Sequence, residues 1–371
     1  MKKLKIFTFN RAHNYGAFLQ VFALQQKLIE KGYSVKIVDL KLDTIIDSYR
    51  PLTLKNGIKK NIRGILKLII YFKPIISRYK NFNKIIEKKL NLTDKVKNVD
   101  DIINVIDDED ILLTGSDQVW NLEIVKDYFD LFTLNQFENN KKISYAASLG
   151  SVNFVEENRE KYILNVSKIN NISVREVSAQ KKLNELIDNK IEVVLDPTLL
   201  ISMMEWDKYL TNTKTLKEKY ICAYVISPND EYIKIVNELS EKTGLKVLHF
   251  GLKNPGYKNI LKSAYEEGPL DFVNYIKNAE YVVATSFHAT IFSIIYNKKF
   301  FIIPHVKTGS RVNDLLNTLD LNDRIFNEVS DFKNYDINSE IDWKNVNVKL
   351  NEEIKKSDKW LTSVIDESEN K

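Results

Sequence analysis

The chain has a single cysteine, Cys222, in 371 residues. That count excludes a disulfide framework and a cysteine-based metal site. Cys222 lies inside the apolar run Tyr220-Ile-Cys-Ala-Tyr-Val-Ile226 and reads as a buried core thiol. Only four histidines are present, none in HExxH-type spacing, so no protein-held metal is expected. There is no P-loop signature and no GxGxxG fingerprint, which weighs against ATPase and dehydrogenase activities. Zinc-finger, RNA-recognition and arginine-rich patterns are also missing, and the net charge of +5 is small for this length, so nucleic acid is not an expected partner. No run approaches the ~20 apolar residues of a membrane span. Met1-Lys-Lys leads straight into a run of strand length at residues 4–9, so no signal peptide is expected and the expected location is cytoplasmic.

What remains is an ordinary globular composition, 44% hydrophobic and 28% charged, in a chain too long for one typical core. Strand-like runs alternate with helical ones. Residues 4–9 are followed by a polar loop at 10–16, a helix at 17–31 ended by Gly32, and a strand at 35–40. Further strands are expected at 111–113, 143–147, 172–174, 193–195, 220–226, 245–250, 281–284 and 300–303. Helices are expected at 230–243, with Gly244 as terminator, at 271–278 and over 343–365. Alternation of this kind implies parallel sheets covered on both faces. The expected domains are 1–200, carrying a basic helical insertion at 43–100, and 201–371, ending in a helix. Two such sheets facing one another would bind ligands in a cleft at the carboxyl ends of their strands.

The insertion carries thirteen basic residues from Lys55 to Lys97 and only Glu87 and Asp94 as acids. One reading is a helical excursion with a solvated basic face. The other is a surface at 55–97 that contacts anionic lipid on the cytoplasmic face of a membrane, or receives a lipid-linked phosphate.

The chemistry gathers just after the strands. In Ala284-Thr-Ser-Phe-His-Ala-Thr290, His288 stands where a strand ends and a helix begins. The first N–H groups of a helix lack intrahelical partners and carry partial positive charge, so an anion can bind there. Thr285 and Ser286 are good N-cap types, and the imidazole is a proton carrier. The alternative for His288 is a packed polar residue with no role in a reaction. His305, Lys307 and Arg311 follow the next strand and are candidates to converge on the same anion. His13 and His249 are given no role.

In the first half, Asn14-Tyr-Gly-Ala-Phe-Leu-Gln20 follows the first strand, and Gly16 permits close backbone approach to a ligand. Thr114-Gly-Ser-Asp-Gln-Val-Trp-Asn121 offers a hydroxyl (Ser116), a carboxylate (Asp117), an amide (Gln118) and an aromatic plate (Trp120), which are the tools for gripping a sugar. Asp117 is a candidate general base for a sugar hydroxyl; the alternative is a turn in which it caps local N–H groups. Ser144-Tyr-Ala-Ala-Ser-Leu-Gly150 ends another strand with small residues. Ile172-Ser-Val-Arg-Glu176 ends a strand on Arg175, suited to bidentate capture of phosphate or carboxylate, or else to an ion pair with Glu176 or another local acid. Asp196-Pro-Thr198 reads as a structural strand end.

Taken in order, these segments resemble the polysaccharide pyruvyl transferase family. The likeness rests on Asn14–Gln20, Gly115–Asn121, Tyr145–Gly150, Ile172–Glu176, Asp196–Leu199 and Ser286–Ala289, with weaker support from residues 268–272 and 310–316, and runs over about residues 1–325. It implies two Rossmann-like domains facing a cleft, resembling the GT-B glycosyltransferase fold. It also implies transfer of pyruvate from phosphoenolpyruvate to two hydroxyls of a sugar, lipid-linked or carried on a nucleotide, in exopolysaccharide or capsule biosynthesis. The product is a cyclic ketal plus phosphate, and no cofactor is involved. By this resemblance His288 matches a catalytic histidine and Arg175 a donor-binding arginine. Residue chemistry adds Asp117 as the second catalytic candidate, Ser286, Thr285, Lys307 and Arg311 as donor-binding candidates, and Asn14, Tyr15, Gly16, Ser116, Gln118 and Trp120 as acceptor-binding candidates. Many members carry arginine two residues before the histidine. Here Ser286 stands in that place, the mark of a Ser-Phe-His branch, and Lys307 or Arg311 is the candidate substitute. The competing readings are a GT-B-type glycosyltransferase using a nucleotide sugar, and a non-catalytic sugar-binding protein on the same fold.

Overall fold

The computed structural model describes residues 1–41, 46–53, 58–150, 152–304 and 310–367. The chain forms two compact units. One comprises residues 1–53, 83–201 and 351–371, the other 54–82 and 202–350. Neither unit is a continuous stretch of the chain, in contrast to the expected division into 1–200 and 201–371. Residues 351–371 belong to the first unit because the last helix packs there: the Ser357 hydroxyl accepts from Leu195 N–H at 2.9 Å and Asp358 pairs with Lys31 at 2.8 Å. Residues 54–82 belong to the second, where Arg78 and Asn81 donate to the carbonyls of Tyr265 and Glu266 at 2.8 Å each.

The strands are β1 (Lys3–Phe7), β2 (Ser34–Leu40), β3 (Leu92–Val96), β4 (Ile111–Asp117), β5 (Lys142–Ala147), β6 (Asn171–Val174), β7 (Ile191–Val193), β8 (Tyr220–Tyr224), β9 (Lys246–His249), β10 (Ile260–Ser263), β11 (Tyr281–Ala284) and β12 (Lys299–Ile302). The helices that matter here are α1 (Tyr15–Glu30), α2 (Ile58–Ile70), α3 (Phe72–Lys89), α4 (Asp230–Thr243), α5 (Phe287–Ile295), α6 (Ser310–Thr318) and α7 (Trp343–Asp366). The first sheet runs β3-β2-β1-β4-β5-β6-β7 and the second β10-β9-β8-β11-β12, every pairing parallel. Central strands such as β4 and β5 are buried along almost their whole length, because helices cover both faces of a parallel sheet.

Local signals account for the helix ends. Asn14 caps α1, its Oδ1 accepting from Gly16 N–H at 2.9 Å and Ala17 N–H at 3.3 Å. Asn229 caps α4, which ends on Gly244 in the left-handed conformation. Cys222 is buried in β8, and burial pushes its thiol well above the ordinary range, as a core thiol requires.

Two strands escaped the sequence reading, β3 and β10, and both are sheet edges. β3, Leu-Thr-Asp-Lys-Val, sits inside the segment read as helical excursion, yet it pairs with β2 through Asp39↔Lys95 and Leu40↔Val96. Edge strands carry charge that guards them against further pairing, and that charge erases the apolar run by which strands are recognised.

In each sheet the chain order reverses at one place, between β1 and β4 in the first and between β8 and β11 in the second. Crossovers on either side of that point run in opposite directions. A crevice therefore opens outside the carboxyl ends of the two strands, and there such sheets bind ligands.

Candidate active site

At the first reversal point a cavity of about 340 Å³ lies beyond β1 and β4, lined by Phe9, Asn14, Tyr49, Asp117, Gln118 and Lys126 among others. The structure thus brings together Asn14, Asp117 and Gln118. Tyr49 and Lys126 were not foreseen; they come from segments with no strand–turn–helix signal.

The carboxyl end of β4 departs from regular strand geometry. The peptide between Gly115 and Ser116 is cis, and Asp117 has φ 74°. Gly115 has φ 111°, and a Cβ on it would stand 2.3 Å from the Tyr145 carbonyl oxygen in β5. Only glycine satisfies both the left-handed backbone and the close approach. Gly115→Ala should cost about 1–3 kcal/mol in urea unfolding, the usual range for forcing atoms into a packed site. An unchanged midpoint would show that β4 and β5 can separate freely.

Four of the expected acceptor residues are buried. Trp120 is fully buried in the apolar cluster with Phe129, Leu131 and Tyr162, and its Nε1–H donates to Phe132 O at 3.1 Å. It is a core residue, because an indole whose N–H meets a backbone carbonyl can be buried whole. Ser116 is also fully buried, its Oγ 3.2 Å from Ala146 O and 3.3 Å from Asp196 Oδ2. Tyr15 is 1% exposed in the first turn of α1. Gly16 is buried too, and its N–H is taken by the Asn14 cap. Asn14 itself is exposed and lines the cavity.

Arg175, just past β6, is held by acids. Its Nη1 lies 2.7 Å from Asp196, Nε 3.2 Å from Glu176 and Nη2 3.6 Å from Asp117. Burial opposes the charged guanidinium, but the Coulomb attraction of Glu176, Asp196 and Asp117 outweighs it and raises the pKa above its ordinary value. Within its own unit the ion-pair reading therefore describes Arg175 better than anion capture, since three carboxylates around one guanidinium repel a further anion. Asp196 also accepts from Thr198 N–H at 3.0 Å and from the Thr198 hydroxyl at 2.6 Å, so Asp196-Pro-Thr198 is a structural turn and the anchor of Arg175 as well.

At the second reversal point, β11 delivers Thr285 and Ser286 into the start of α5. The Thr285 hydroxyl accepts from Ile226 N–H at 2.8 Å, tying the exit of β11 to that of β8. Thr285 is thus a buried clasp. Ser286 is the N-cap residue by backbone geometry, but its side chain makes no capping hydrogen bond. His288 occupies the second position of α5, 7% exposed, its ring edge-on to Phe287 at 5.5 Å. Arg311, at the start of α6, places its guanidinium carbon 5.8 Å from the centre of the same Phe287 ring. An imidazole, a guanidinium and a helix N-terminus are thereby gathered at one end of the second sheet. His305 and Lys307 lie outside the described residues. Among the described residues no cluster of His, Cys, Asp and Glu is suited to a metal ion, and no helix is long and apolar enough to cross a membrane.

Two parallel, Rossmann-like sheets with polar groups at their reversal points define a fold of the GT-B type. The chain belongs to the polysaccharide pyruvyl transferase family, which it matches over residues 14–305. Solved structures agree on the fold. UDP-GlcNAc 2-epimerase from Neisseria meningitidis, bound to UDP-GlcNAc, is similar with a TM-score of 0.53 at 9% identity over 98% of this chain and 99% of that one. Trehalose-6-phosphate synthase OtsA is similar with a TM-score of 0.52 at 9% identity over 99% and 100% of the two chains. No curated protein matches the chain by sequence.

Proposed function

We propose that this protein transfers a pyruvyl group from phosphoenolpyruvate to two hydroxyls of a sugar in cell-surface polysaccharide biosynthesis. The observation that carries the reading is the family match over residues 14–305, which takes in β4 and β11 and the side chains of Asn14, Asp117, Gln118, Arg175 and His288. In this reading the donor's phosphate and carboxylate are held by the start of α5 and by Arg311, with Lys307 as a further candidate. The sugar is held by Asn14 and Gln118. Arg175 is a positioning residue that orients Asp117.

The chemistry balances without a cofactor. His288, as imidazolium, gives a proton to the methylene carbon of phosphoenolpyruvate, and C2 becomes cationic. A sugar hydroxyl attacks C2 while Asp117 takes its proton. The second hydroxyl then forms its own bond to C2, the C2–O bond to phosphate breaks, and the hydroxyl's proton leaves with the phosphate. Each positioned acid or base contributes ~10²–10⁴ in rate. The ketal keeps a carboxylate and so makes a neutral sugar acidic.

Ser286, standing where many relatives carry arginine, favours a second reading, a glycosyltransferase using a nucleotide sugar. Thermal stabilisation separates the two, because a ligand that binds only the folded form raises the melting temperature. Phosphoenolpyruvate should raise it and nucleotide sugars should not. Phosphate release from phosphoenolpyruvate should appear with at least one member of a panel of sugar acceptors. Stabilisation by nucleotide sugars alone overturns the proposal.

A further inference from the structure

Helix α2 is turned the wrong way for a helix of a globular core. Ile62, Ile65, Leu66 and Ile69 recur at spacings of three and four and form one stripe. That stripe faces outward. Of the eighteen large exposed hydrophobic side chains among the described residues, six fall between 62 and 72, with Ile69 and Ile70 at 67% and Phe72 at 60% exposure. The less exposed side is Asn61, Gly64 and Leu68. Lys60, Arg63 and Lys67, again at spacings of three and four, form a row beside the apolar stripe. Residues 58–86 contain eight basic side chains and no acidic one. The arm is held to the second unit from α3, through Arg78 to Tyr265 O and Asn81 to Glu266 O, so its outer face is presented on a fixed base.

We infer that α2 and the start of α3 form a membrane-contact surface, seating apolar side chains among acyl chains and basic ones among anionic phospholipid headgroups. Charge complementarity selects this occupant. An apolar stripe edged by unopposed lysine and arginine matches a bilayer interface, where anionic headgroups border hydrocarbon. A second copy of the chain would set the same basic row against itself across a two-fold axis. At 13 residues α2 is too short to span and lies in the interface plane.

Vesicle flotation of the full chain tests this independently of catalysis. The protein should float with phosphatidylcholine–phosphatidylglycerol vesicles and stay behind with phosphatidylcholine alone. Raising the salt should weaken the anionic binding, since the headgroup attraction is screened within a Debye length. The triple change Ile62→Ser, Leu66→Ser and Ile69→Ser should cut the bound fraction by roughly tenfold, because interfacial binding scales with buried apolar area. Its melting temperature should hold, since these side chains are exposed. Lys60→Gln, Arg63→Gln and Lys67→Gln together should remove the preference for anionic vesicles. Three results overturn the inference: no binding to anionic vesicles at low salt, binding that the triple change leaves intact, or a wild-type dimer that the triple change splits while neither form floats.

Discussion

His288→Ala should lower phosphoenolpyruvate-dependent phosphate release by about 10²–10⁴-fold, the typical contribution of one positioned acid or base. The reason is placement. The imidazole is fixed at the second position of α5, at the helix start, edge-on to the Phe287 ring over which the Arg311 guanidinium also lies, and is almost fully buried. No other described histidine belongs to that cluster: His13 lies in the loop after β1, and His249 ends β9 with its Nδ1 accepting from Gly251 N–H at 3.1 Å. Alanine deletes a ring that packs on Phe287, so part of any loss could come from packing. His288→Gln controls for this. It keeps most of the volume and polarity but carries no titratable proton, and it should be as inactive as alanine with a melting temperature close to wild type. A glutamine variant with near-wild-type turnover would remove His288 from the mechanism.

Arg175→Leu should destabilise the first unit by about 3–5 kcal/mol, the cost of leaving buried charges without their partner. Asp196 and Glu176 are almost wholly buried and Asp117 only slightly exposed; each would lose its cation at once. Linkage sets the pH range of the effect. The folded pKa of Arg175 is raised above its unfolded value. Its stabilisation is therefore fully present below the unfolded value and fades only as pH rises through the folded one, so the wild type keeps it at every ordinary pH. Arg175→Lys should recover only part of the loss, because an ammonium cannot present three separate donors in the planar fork that meets Asp196, Glu176 and Asp117. Urea unfolding of the three proteins is the measurement. A leucine variant within ~1 kcal/mol of wild type would mean the acids relax to water and the cluster is not structural.

These two residues show different degrees of legibility. His288 was readable because a strand, a polar dipeptide and an apolar helical run stand next to one another in the chain, and local order alone puts the imidazole at a helix start. Arg175 was readable as a cation at a strand end, but its partners are 21 and 58 positions away, at Asp196 and Asp117. No spacing rule links them. Trp120 was misjudged for a related reason. A tryptophan three residues past a strand can turn to solvent or to the core, and the choice depends on Phe132, whose carbonyl takes the indole N–H. The basic insertion was half legible. Its charge and its apolar residues were evident, but the outward turn of the apolar stripe, and the strand β3 at its end, depend on what each packs against.

The sequence by itself determined the alternation of strands and helices, the parallel character of both sheets, the family and the place of His288. All of these follow from periodicity, caps and motif order, which are local or sequential properties. The tertiary structure decided the rest: which strand lies beside which, where each sheet reverses, which motif residues face a cavity and which the core, and that residues 351–371 complete the first unit. Those depend on contacts between positions far apart in the chain, where burial and hydrogen bonding choose among orientations that the local sequence leaves equal.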